Sequence, residues 1–190
     1  MNQFMNQLKK TYGFSDYEIK LIRYTLTALL YDFSKLILFG GYYYLTKRFT
    51  AFLFCLLPLL LLRTQNGGIH FKKYWSCFLF TFAYLETCIA ILPRHIHCSA
   101  PTMLIALTIC AIINWKLGPN LSNRSGKSDP VSIQKTKCCT LSIVIGTGIL
   151  LFIYPANKYF IISFWTIILH TIQLKIANIL KEIKHHEKSY

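Results

Sequence analysis

The chain has 190 residues, 54% of them hydrophobic, with a mean hydropathy of +0.40 and a formal charge of +14. So apolar a composition, gathered in long blocks, excludes an ordinary soluble domain of this size. The basic excess admits nucleic acid, an anionic membrane surface or an acidic substrate, but the charges fall between apolar blocks rather than in one patch, which favours membrane topology over nucleic acid.

In chain order, the first twenty residues hold no continuous apolar run of the kind a cleavable signal needs. The first membrane segment is therefore expected to act as its own targeting signal. Over residues 1–14, Phe4, Met5, Leu8 and Tyr12 stand at helical spacing beside Lys9 and Lys10. Two readings stand: an interfacial amphipathic helix or a frayed tail. Ser15-Asp16-Tyr17-Glu18 fits a capping box, so a long helix is expected from there to about Tyr44. It carries Asp32 and Lys35 three residues apart on one face, either a structural ion pair or a substrate contact.

The second apolar block, Phe49 to Leu62, has only 14 residues. As a helix it would span about 21 Å, short of a hydrocarbon core of about 30 Å, and Pro58 is expected to kink it. Further blocks run from Phe78 to Leu92, Pro101 to Trp115, Cys139 to Tyr154 and Tyr159 to about Ile179, with Pro93, Pro119, Pro130 and Pro155 at the breaks. The expected fold class is all-α: a polytopic membrane bundle of about six transmembrane or re-entrant helices in one domain, 1–190. The alternative count is four full spans and two re-entrant pieces. With six spans and a cytoplasmic N-terminus, only Lys47, Arg48, Arg94 and Lys158 of the 21 Lys and Arg fall outside, and Lys35 lies within a span. This positive-inside bias places both termini, the 63–77 loop and a basic 116–137 loop in the cytoplasm.

The stretch from Arg63 to Cys77 is polar, contains glycine and sits between apolar walls; it holds His70 and Cys77. A cysteine nucleophile acts as thiolate, with an imidazole taking its proton and returning it to the leaving amine. Arg63, Lys72 and Lys73 add positive potential that favours thiolate, as would a place for Cys77 in the first turn of the third helix. On one straight helix His70 and Cys77 would stand about 10.5 Å apart along the axis, so His70 is expected on a turn that folds back. Gly67-Gly68 permit such a turn, and their N–H groups can serve an oxyanion. Gln65, Asn66 and Ser76 are alternative orienters of the imidazole. Spacing alone leaves a second reading open, an interfacial loop with a stray His and a buried Cys.

The same segment resembles the signature of the accessory gene regulator B (AgrB) family. Arg63, Gly67, Gly68, His70, the aromatic and Ser run before the cysteine, and Cys77 seven residues beyond the His all match it. The first span, with Tyr24 and Ser34-Lys35, is similar as well. So is the polar loop from Gly118-Pro119 to Pro130, which departs from the family pattern in having Gly for Ala and a longer Ser-rich insert. The resemblance implies a multi-pass protein of the bacterial cytoplasmic membrane that cuts the C-terminal tail from an AgrD-type propeptide and leaves a cyclic thiolactone or lactone for quorum sensing. It implies Cys77 as nucleophile, His70 as general base and acid, and positioning or structural roles for Arg63 and Gly68. Lys116, Arg124 and Lys127 in the basic loop then offer docking to an acidic tail, or serve topology alone. Asp32 and Lys35 are the other candidate substrate contacts. Partners are thus the propeptide and the bilayer, with a homodimer open to it and no nucleic acid. The alternative function is a non-enzymatic peptide exporter or sensor component.

The remaining polar features carry less. His95, His97 and Cys98 lack a second ligand group, so no metal and no cofactor is expected. Among the seven cysteines, an odd number that excludes a full disulfide framework, Cys138-Cys139 read as interfacial packing or an acylation target. His170 reads as a hydrogen-bonded residue of the last span.

Overall fold

The computed structural model describes residues 15–69, 73–118 and 130–186, so the interfacial segment expected over 1–14 lies outside the described residues. The described residues are helical, with no strand among them. They fall into two compact units, Met1–Lys47 and Arg48–Tyr190.

The first unit holds α1, Asp16–Leu45. It begins as the sequence indicates. The Glu18 N–H donates to Ser15 Oγ at 3.3 Å, and the Ser15 N–H donates back to Glu18 Oε2 at 2.8 Å. Two backbone donors that a helix start leaves bare are thereby satisfied. These bonds, the backbone one first and the Ser15 hydroxyl second, hold the Glu18 carboxyl below its ordinary pKa. Lys35 Nζ reaches Asp32 Oδ1 at 2.9 Å across one turn of the same helix.

The second unit comprises α2 (Phe49–Asn66), α3 (Tyr74–Glu86), a π-helical turn (Thr87–Ile91), α4 (Leu92–His95), α5 (Ala100–Leu117), α6 (Pro130–Ile153) and α7 (Lys158–His186). Five stretches are long and apolar enough to cross a membrane: Phe49–Asn66, Tyr74–His95, Ala100–Leu117, Ile133–Ile153 and Lys158–Ile183. In hydrocarbon each backbone polar group needs a partner inside its own segment, which is why such blocks become helices. Their hydroxyls follow the same rule: Thr81 donates to Cys77 O at 2.8 Å and Thr108 to Leu104 O at 2.9 Å.

The second span is longer than its apolar block. The polar residues Arg63 to Asn66 continue the helix, giving 18 residues and about 27 Å rather than about 21 Å. Pro58 does not end it. Proline removes the bond that would reach the carbonyl of Phe54, and Ser163 Oγ from α7 donates to that carbonyl at 2.8 Å. Pro93 likewise sits inside the Tyr74–His95 span, absorbed by the π-helical turn before it. Helix α6 starts at Pro130, nine residues before the apolar block, because a proline at the first helical position gives up no bond.

Contacts fix the course of the chain. Asn66 at the end of α2 meets Asn114 near the end of α5 and Thr140 in the first half of α6. Phe54 stacks on Tyr159, with ring centroids 5.2 Å apart, and Gly68 packs against Gln173. Helices α2, α5 and α7 are thus parallel to one another, and α6 is antiparallel to them. Helix α7 is central: 56% of its apolar window is buried, against 17–33% in the other four spans. It packs on α2, α4, α5, α6 and the π-helical turn. Ile162 to Ile167 is a continuous buried run, the pattern of a helix enclosed on all sides. The core gathers Leu62, Met103, Leu107, Val144, Phe164 and Ile167.

Candidate active site

The end of α2, the start of α3, the end of α5, the start of α6 and the second half of α7 meet at one end of this unit. The same end carries Arg63, Lys73, Lys116, Lys135, Lys137 and Lys175, whereas the opposite end carries Arg48, Arg94 and Lys158.

Helix α2 stops at Gly67. Its φ of 75° and ψ of −152° are open to glycine and strained for other residues, and its N–H closes the helix onto Arg63 O at 3.0 Å. Gly68 follows, buried. A methyl group there would stand 3.3 Å from Gln173 Nε2 of α7, closer than most such contacts. Arg63 and Gln65 are partly exposed on the last turn of α2, and Asn66 is 2% exposed.

Asn66 sits in a buried polar cluster. Its Nδ2 donates to Asn114 Oδ1 at 3.1 Å, and its Oδ1 accepts from Thr140 Oγ1 at 3.0 Å. Asn114 Nδ2 donates to Thr171 Oγ1 and to Cys110 O, both at 2.8 Å. Four helices, α2, α5, α6 and α7, are thus fastened directly below the Gly67-Gly68 turn. The Asn66 amide, one of three residues considered for orienting an imidazole, is here engaged with Asn114 and Thr140. Sequence reasoning did not find Asn114, Thr140 or Thr171. Their only signal is that each is a polar residue in an apolar span.

Cys77 lies in the first turn of α3, half-buried, and its N–H is bonded to Lys73 O at 3.2 Å. Ser76 is exposed. Tyr74, Trp75 and Phe78 form an aromatic cluster on the same stretch of helix, with centroids 5.6–6.2 Å apart. Trp75 is exposed, as suits a ring at a membrane boundary. His70, Arg124 and Lys127 lie outside the described residues. Lys116 closes α5 and is exposed. Beside it, Lys137 Nζ lies 5.6 Å from the centroid of the Trp115 ring.

Two α7 residues belong to this end and were missed or misread. Gln173, in contact with Gly68, drew no attention in the sequence. His170 was expected to be hydrogen-bonded, and it is not: it is 1% exposed, with neither ring nitrogen partnered among the described residues. The Thr166 hydroxyl, one turn earlier, donates to Ile162 O at 2.9 Å and lies 3.2 Å from Cys55 Sγ. An ionisable side chain inside a membrane span was itself the available signal. Among the described residues, no three His, Cys, Asp or Glu side chains converge as a metal site.

Residues 1–174 match the family described as Accessory gene regulator B. No curated protein and no solved structure matches the chain.

Proposed function

This chain belongs to the accessory gene regulator B family, and from that premise we propose that it is a cysteine endopeptidase that cuts and cyclises an AgrD-type signalling propeptide. It is a multi-pass helical membrane protein. The observation that supports the proposal is that Cys77, in the first turn of α3, and the Arg63–Gly68 end of α2 lie at the same basic end of one bundle.

In this reading the basic end faces the bacterial cytoplasm, as the positive-inside rule requires. His70 removes the proton from Cys77, and the sulfur attacks the scissile carbonyl carbon. The Gly68 N–H and the positive charge of Arg63 offset the oxyanion. The C–N bond then breaks, and His70 returns the proton to the departing amine of the tail. Forming a thioester from an amide is uphill, so the step is drawn forward by loss of the tail. An internal thiol or hydroxyl of the peptide next attacks the thioester carbonyl, gives up its proton to Cys77 and closes the ring. Exchange of thioester for thiolactone is nearly balanced and needs no ATP. Apolar surroundings keep water from the intermediate. Lys116, with Arg124 and Lys127 of the same loop, attracts the acidic tail.

Co-expression with the propeptide from the adjoining reading frame, followed by mass analysis, tests this. The parent yields the tail and a ring lighter than the hydrolysed peptide by one water. Cys77→Ala and His70→Ala each give uncut propeptide at normal membrane levels. Processing that survives in Cys77→Ala would end the endopeptidase reading and leave a peptide exporter or sensor component.

A further inference from the structure

Helix α7 supplies a second polar group to this site, and its register can be read from two contacts. Tyr84 Oη of α3 donates to Thr166 O of α7 at 2.7 Å. From Thr166 towards the end of α7, His170 and Gln173 follow four and seven residues on, so all three share one face. From Tyr84 back towards the start of α3, Thr81 and Cys77 lie three and seven residues away, again on one face. The two helices run in opposite senses and each rises about 10.5 Å over seven residues. Gln173 therefore stands at the level of Cys77, with His170 about one turn deeper. The contact of Gln173 with Gly68 confirms that this face of α7 reaches the turn between α2 and α3.

The Tyr74–His95 span packs on α7 at its far end, through the π-helical turn and α4, and less closely towards Cys77. His170 is itself enclosed, 1% exposed, so a peptide reaches it where α3 and α7 are least tightly joined. His170 brings two buried ring nitrogens, unpartnered among the described residues, to this region. A neutral imidazole has one donor and one acceptor. An extended peptide presents the complement, one C=O and one N–H, and these groups also need partners once they leave water.

We infer that His170 is a substrate-binding residue, the anchor on α7 for the backbone of the propeptide segment lying between α7 and Cys77. This rests on the endopeptidase reading for the identity of the peptide, not for the existence of the anchor. The inference has a signature that a core histidine lacks. Two polar atoms left unpartnered in the core destabilise the empty protein, so their removal raises stability, whereas loss of the anchor weakens peptide binding.

The experiment uses the full chain in lipid nanodiscs with the fluorescently labelled propeptide from the adjoining reading frame. His170→Leu is expected to unfold at or above the parental temperature and to bind the propeptide about tenfold or more weakly, because site groups aimed at a polar partner lose it. His170→Gln, which keeps a donor and an acceptor, retains most of the affinity. The same comparison in a Cys77→Ala background measures binding without cleavage. Parental affinity in His170→Leu overturns the inference, and so does an equal loss in His170→Gln. Should His170→Leu fail to fold, His170→Met decides by the same two readouts. A parent that binds but does not cut sinks the endopeptidase reading and leaves the anchor standing. A parent that does not bind overturns both.

Discussion

Replacing Asn114 by leucine tests whether the buried amide cluster holds the site end of the bundle together. The two side chains have equal numbers of heavy atoms, so the change removes hydrogen bonding with little change of volume. Three bonds go: one to Asn66, one to Thr171 and one to Cys110 O. Their loss is unequal. Thr171 still donates to Ile167 O at 2.9 Å, and Asn66 Oδ1 still accepts from Thr140. Asn66 Nδ2 alone is stranded, in a residue 2% exposed. A buried donor left without an acceptor costs about 1–3 kcal/mol, and interhelical bonds in membranes average about 0.6 kcal/mol with a maximum near 1.7. The expected loss is therefore about 1–2 kcal/mol, or roughly a 5- to 30-fold shift in the folding equilibrium.

A double-mutant cycle supplies the check. Unfolding by SDS in mixed micelles gives stabilities for the parent, Asn114→Leu, Asn66→Leu and the pair. Once Asn66 is also leucine, no donor is stranded, so the pair is no less stable than Asn114→Leu alone. Strict additivity of the two single effects, or a cost below about 0.5 kcal/mol for Asn114→Leu, would refute the reasoning.

Two further outcomes follow from the helix accounting. Ser163→Ala removes the donor that meets the Phe54 carbonyl opposite Pro58, and should cost about 1 kcal/mol by the same SDS assay; in a Pro58→Ala background, where the backbone N–H at position 58 can bond that carbonyl, the cost should vanish. Because the Glu18 carboxyl is held below its ordinary pKa, its contribution to the start of α1 is present above that ordinary value and fades as pH falls through the lowered one. Amide exchange in the first turn of α1 should speed up, beyond its intrinsic pH trend, between about pH 6 and about pH 3, and Glu18→Gln should remove that pH dependence.

Much of the architecture was legible because a bilayer leaves the backbone few options. Apolar blocks located the spans, and the uneven placement of Lys and Arg matches the alternation of helices in the second unit. The span ends were less legible, since hydropathy ends where charge begins and a helix need not. Arg63 to Asn66 stay helical because Asn66 finds partners on α5 and α6, at sequence distances of 48 and 74 residues. Pro58 reads as a kink in the sequence, yet the hydroxyl that meets the freed Phe54 carbonyl belongs to Ser163, 109 residues beyond Phe54. The Arg63–Cys77 block announced itself by a motif within fifteen residues. The α7 wall did not, because Gln173 and His170 are distant in sequence and each is an ordinary polar residue until a neighbour is known.

Neighbouring turns of α7 do opposite things, and this separates fastening from function. Without a hydrophobic drive between helices in lipid, polar contacts and close packing hold a bundle together. Thr171 joins the satisfied cluster with Asn114, while His170, one residue earlier and about 100° around the helix, has no hydrogen-bond partner among the described residues. If both were structural devices, removing either would loosen the protein. If His170 serves a peptide, the signs part: Asn114→Leu lowers stability and processing together, through the Gly67-Gly68 turn above the cluster, whereas His170→Leu lowers processing while stability holds or rises. A shared fall in stability would return His170 to the core and leave the peptide to be held by α2, α3 and the loop between them.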